Sequence, residues 1–176
     1  STLRGTVAVN GGRLNVTGTV NPGATFGTTT VGSGAATSAA LHVPAGGSYS
    51  SATYTIGANA TGVGSIVVRG GSLAATTANV TLGLNSIGNG GYGGLFLSSG
   101  TVTTPRLETG ATITPASVGV IQVSGGILTT TGDFILIRNG QGEFTTTGGS
   151  VLRSAPTASI SLGETGINAT MNVAGG

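Results

Sequence analysis

Only four carboxylates are available to this sequence for chemistry: Glu108, Asp133, Glu143 and Glu164. Cleaving a glycosidic bond takes two of them on one bond, one as acid and the other as base or nucleophile. Counted from the nearest glycine turn, or for Glu164 from the preceding one, they stand at offsets of +8, +7, −6 and +15. Only Glu108 and Asp133 can therefore share one side of neighbouring repeats, with Arg106 between them. Two carboxylates without a supporting polar shell seldom make a site, and a solvated pair is the ordinary reading.

His42 is the one histidine. In LHVPAGG, strand alternation sets it opposite Leu41 and Val43, on an outward face with no neighbours able to complete a metal site. The stretch Gly88–Gly94, GNGGYGG, lacks both the recurring aspartate of a calcium repeat and the strand-to-helix context of a dinucleotide fingerprint. It reads as a flexible extended corner, with Tyr92 over a coil edge. All six basic residues are arginines, Arg4, Arg13, Arg69, Arg106, Arg138 and Arg153, spread singly. A nucleic-acid footprint requires clustering, so that partner is excluded. The absence of lysine removes Schiff-base and P-loop chemistry. The absence of cysteine removes disulfides and thiolate metal sites. No catalytic, cofactor-binding or metal-binding residue is assigned, and the chain is expected not to be an enzyme.

The elements that would carry these residues are strands. Charged residues make up 6% of the 176, mean hydropathy is +0.35, and 35 glycines punctuate β-branched runs without collagen's three-residue period. No apolar stripe recurs at helical spacing, and no run approaches the roughly 20 apolar residues of a membrane span. An alternating strand ending in a tight turn recurs seven times: VAVNGGRL, LHVPAGGSY, IVVRGGSL, LFLSSGTV, IQVSGGIL, FTTTGGSV and MNVAGG. The last turn glycines fall at 12, 47, 71, 100, 126, 149 and 176, with intervals of 35, 24, 29, 26, 23 and 27. Between them lie TTTVG, TYTIG, NVTLG, RLETG and SISLG, with FILIR in the fifth coil.

That period predicts an all-β, right-handed parallel β-helix of about seven coils of roughly 27 residues, each with three short strands. A single coil cannot enclose a core, so coils must stack, with equivalent positions about 4.8 Å apart. A barrel or jelly roll also fits alternation with turns, but such folds seldom repeat one turn sequence at every third strand.

The TVG and TIG strands with LxVxGGxL turns resemble the repeats in passenger regions of autotransporter-like bacterial surface proteins and exoproteins. The resemblance spans nearly the whole chain. It implies export, surface display and a role in adhesion, matrix or biofilm. The sequence starts at Ser1 without methionine and shows a repeat strand at each end. It is read as one domain over 1–176, uncapped at both ends: either a segment of a larger surface protein or a subunit that stacks head to tail. The expected partners are copies of itself and surface polysaccharide. A carbohydrate-binding or carbohydrate-active β-helix is the alternative. Threonine runs at Thr28–Thr30, Thr101–Thr104, Thr129–Thr131 and Thr145–Thr147 raise ice binding as a lesser one. Asn15, Asn59, Asn79 and Asn168 each open an N-x-T sequon.

Overall fold

The computed structural model describes residues 5–20, 27–34, 37–59, 61–76, 79–82, 91–109, 117–136, 140–157, 159–163 and 168–175. They form eighteen strands and no helix. The chain opens with β1 (Val7–Val9), β2 (Gly12–Asn15) and β3 (Thr19–Val20). The next turn holds β4 (Thr28–Val31), β5 (Ser38–Pro44) and β6 (Ser48–Ser51). Then come β7 (Thr53–Ile56) with the long β8 (Val63–Ala75), and β9 (Asn79–Leu82) with the long β10 (Tyr92–Thr104). Two more triplets follow, β11 (Arg106–Thr109), β12 (Val118–Val123), β13 (Ile127–Thr130) and β14 (Phe134–Leu136), β15 (Gln141–Thr146), β16 (Ser150–Arg153). The last layer is β17 (Ile160–Leu162) and β18 (Asn168–Val173).

All the ladders are parallel and lie on three faces. The first face runs β1-β4-β7-β9-β11-β14-β17. The second runs β2-β5-β8-β10-β12-β15-β18, and the C-terminal halves of β8 and β10 continue onto the third with β3, β6, β13 and β16. The chain is thus a parallel β-solenoid. Its coil count falls below the expected seven: the five turns from Thr28 to Arg153 are complete on all three faces, while the first is short and the last shows no third-face strand among the described residues.

Register corrects the repeat at its first copy. Val7–Val9 pairs with Thr29–Val31 on the first face, so VAVNGG is the partner of TTTVG and not of LHVPAGG. The second-face layer beneath Ala39–His42 is Gly12–Asn15. Aligned by pairing, the repeat is a small residue, any residue, a large apolar residue, any residue, then Val, Leu or Thr. It reads GRLNV from Gly12, AALHV from Ala39, GSIVV from Gly64, GGLFL from Gly93, GVIQV from Gly119, GEFTT from Gly142 and ATMNV from Ala169. The irregular first interval of 35 becomes 27.

The small residue has a steric cause. At Gly64 a Cβ would lie 2.1 Å from the carbonyl oxygen of Val31, because the second face starts hard against the end of the first. Beyond it, Leu41, Ile66, Leu95, Ile121 and Phe144 stack as a buried inward column, one per layer. Tyr54, Ile56 and Leu107 face them from the first face, with Tyr49, Leu73, Val102 and Leu128 from the third.

The interior also holds a hydrogen-bonded polar network. Thr29 has a single hydroxyl hydrogen, which it donates to Ser51 Oγ (3.0 Å), so the Tyr49 hydroxyl donates to Thr29 Oγ1 (2.9 Å). Ser51 passes its own hydrogen to the Gly27 carbonyl at 2.6 Å, and the Tyr54 hydroxyl reaches the Ala74 carbonyl at 3.0 Å. Burial pushes both tyrosines above their ordinary pKa, so the hydroxyls stay protonated and keep donating.

Candidate functional site

The structure sets the two carboxylates in neighbouring layers of the first face, with Arg106 level with Asp133, as the spacing implies, but gives each its own partner. Glu108 sits on the outward side of β11, yet it is buried and bound to Arg106 at 2.9 Å. Asp133 lies one layer on, in line with Arg106. Its Oδ1 accepts the Ser159 backbone N–H (2.9 Å) and hydroxyl (3.0 Å). Those two bonds, with Arg106 and Arg153 nearby, hold Asp133 below the usual carboxylate range. One carboxylate thus closes an ion pair and the other ties two layers together. Glu143 is exposed and accepts from Thr145 Oγ1 at 3.1 Å. Glu164, Arg4, Arg138 and Gly88–Gly90 lie outside the described residues. Among the described residues no three His, Asp or Glu side chains gather as metal ligands, and no helix is long and apolar enough to cross a membrane.

Tyr92, Gly93 and Gly94 are not a corner: they open β10, paired with Val63–Ser65 on one side and Val118–Val120 on the other. Gly93 belongs to the small inward column. The threonine runs divide between the two sides of the wall. Thr29, Thr104, Thr130 and Thr146 are buried, and register aligns Thr30 and Thr55 along the first face.

His42 does face outward, as alternation requires, but it is not isolated. Its Nδ1–H donates to Asn15 Oδ1 at 3.0 Å, one layer down. Desolvation first, then Arg13 and Arg69, lower its pKa below 6.5. These three residues with Ala40, Ser65 and Val67 line a recess of about 160 Å³. A second cleft of about 340 Å³ shares Val67 and Arg69 with the first and continues across Phe96, Leu97, Ser98, Gln122 and Ser124. The two share a wall at Val67 and Arg69 and follow one another across successive layers on the outward side of the second face, a lateral groove in two parts.

Phe96 is the unexpected member. Its ring lies back over β10 so closely that a Cβ on Gly94 would meet Cε2 at 2.5 Å. The missing side chain at 94 is what lets the ring lie along the sheet. In LFLSSG, Phe96 stands between two other large apolar residues, so composition alone does not mark it as outward. The outward positions of the aligned repeat, Asn15, His42, Val67, Phe96, Gln122, Thr145 and Asn172, would have displayed the one aromatic.

The fold and this lateral groove define a parallel β-solenoid with an open, mixed aromatic and cationic face. Compared with known proteins, the chain matches no protein family, no curated protein and no solved structure. The likeness to autotransporter passenger repeats therefore rests on the residues quoted for it.

Proposed function

We propose that this chain is a non-enzymatic structural solenoid that stacks head to tail with copies of itself, in the extracellular or cell-surface setting that the passenger-repeat resemblance implies. The observation that carries the reading is the layer at β17 and β18. Its inward residues Ile160, Leu162, Met171 and Val173 are 43–64% exposed, and Ile160, Met171 and Val173 line an apolar recess of about 400 Å³ with Phe134 and Phe144 beneath. A further layer of the same cross-section covers them. At the opposite end, β1 and β2 present the partly buried Val7 and Leu14 at matching positions, with Val9 and Val16 buried beside them. Charge is also suited, since register sets Arg13 and Glu143 near opposite ends of one outward column, through Ala40, Ser65, Gly94 and Val120.

Covering four half-exposed apolar side chains contributes on the order of 4–6 kcal/mol, and association costs roughly as much. Backbone pairing of the two open edges must supply the surplus, so assembly is concentration-dependent. Contact between unlike ends does not close and grows into rods.

Light scattering after size exclusion, with electron microscopy across a concentration series, tests this. Rods that lengthen with concentration are expected, and Met171→Asp is expected to shorten them while leaving the circular dichroism of the monomer intact. A discrete monomer at every concentration would overturn the proposal.

A further inference from the structure

We propose that the lateral groove on the second face binds an acidic polysaccharide, with carboxylate or sulfate groups held by Arg13 and Arg69 and sugar rings laid on Phe96. This goes beyond end-to-end stacking, because the groove lies on the side of the rod and, of its residues, only Arg13 belongs to a terminal layer.

Three observations converge. First, the two arginines of this face gather at one end, beside His42. Arg13, His42 and Arg69 line one recess, and among the described residues neither arginine takes part in an ion pair, the carboxylate of Glu108 being held by Arg106 instead. An anion there meets two guanidiniums whose forked donors match a carboxylate or sulfate. Second, the groove continues from Arg69 over Phe96 to Gln122, Ser98 and Ser124. A flat aromatic flanked by an amide and hydroxyls offers a ring both an apolar face and hydrogen bonds. Third, the length fits a polymer. Register places Arg13 and Gln122 four layers apart, roughly 19 Å at the usual strand spacing, enough for several sugar rings.

The same geometry argues against nucleic acid. A duplex or single strand carries a charge on every nucleotide and needs cations along its track. Here they are confined to one end, and Glu143 stands on the same face beyond the groove, lining another recess of about 150 Å³. A glycan with sparse charge suits that layout.

The test is titration of the purified chain with hyaluronate (one carboxylate per disaccharide), with kappa-carrageenan (one sulfate per disaccharide), with neutral dextran and with double-stranded DNA. Binding to hyaluronate or kappa-carrageenan that weakens at raised salt is expected, the stronger of the two telling carboxylate from sulfate. Arg69→Gln is expected to weaken it about tenfold, the worth of one charge-assisted hydrogen bond. Phe96→Ala is expected to weaken it comparably while Phe96→Tyr retains it, with circular dichroism confirming the fold. Dextran or DNA binding as tightly as the acidic glycans, no binding to either acidic glycan, or unchanged affinity in both loss variants would overturn the proposal.

Discussion

His42 and Asp133 are held in opposite charge states by the same kind of neighbour. Desolvation and two arginines keep the imidazole neutral, whereas the Ser159 N–H and hydroxyl with two arginines keep the carboxylate ionised. Both shifts lower a pKa, so both give the same sign in linkage. The unfolded chain binds the proton more readily in each case, and stability falls as pH falls. The His42 contribution is absent near neutrality, where the ring is uncharged in both states, and becomes a penalty as pH drops below 6.5. The Asp133 stabilisation is complete above 3.8 and is lost as pH falls through the lower folded value. Melting temperature measured against pH should therefore decline in two stages. His42→Gln is expected to flatten the upper stage and Asp133→Asn the lower; an unchanged upper slope in His42→Gln would sink this account of the histidine. At this scale alternation did tell which way His42 points. It could not tell that Asn15, Arg13 and Arg69 surround it, because those residues are neighbours only through the stacking register.

Strand and turn chemistry was legible wherever a glycine is obligatory. Gly57, in TYTIG, takes a left-handed φ of 70°, and a Cβ there would lie 2.2 Å from the Tyr92 carbonyl oxygen in the next layer. The left-handed conformation alone costs a non-glycine residue about 1–2 kcal/mol, and a backbone clash cannot be relieved by a rotamer change. Gly57→Ala is expected to destabilise by more than 2 kcal/mol in denaturant melts. Gly18→Ala, at a site with open space around it, is expected to fall within about 0.5 kcal/mol of the parent. Equal effects would show that the corner is not sterically fixed. The sequence misled where two different corners carry similar glycines. NGG at Asn10–Gly12 joins the first face to the second, whereas VSGG and TTGG join the second to the third. Turn glycines record that a corner exists. The small residue two places before each large inward residue records which corner it is, since only that position abuts the preceding face.

Across the whole molecule, stability in a solenoid is a chain of nearest-neighbour terms, and the same residue type should matter differently along one column. Ile66 and Met171 occupy equivalent inward positions on the second face, linked through Leu95, Ile121 and Phe144. Ile66 is fully buried between two layers, while Met171 is 43% exposed at the outermost one. Ile66→Ala is expected to cost about 2–5 kcal/mol, as in cores that cannot collapse around the loss. Met171→Ala should cost under about 1 kcal/mol in dilute solution, where its upper side meets only water. Concentration then separates two accounts of the open layer. If a second copy covers β17 and β18, the penalty at Met171 should rise toward that at Ile66 as the protein is concentrated, because the side chain passes from a half-exposed edge into an interior. The Ile66 penalty should stay constant, since its neighbours belong to the same chain. A Met171 penalty independent of concentration, measured by thermal melts over the range where rods are sought, would mean that the outer layer remains open and that the stack does not extend through this end.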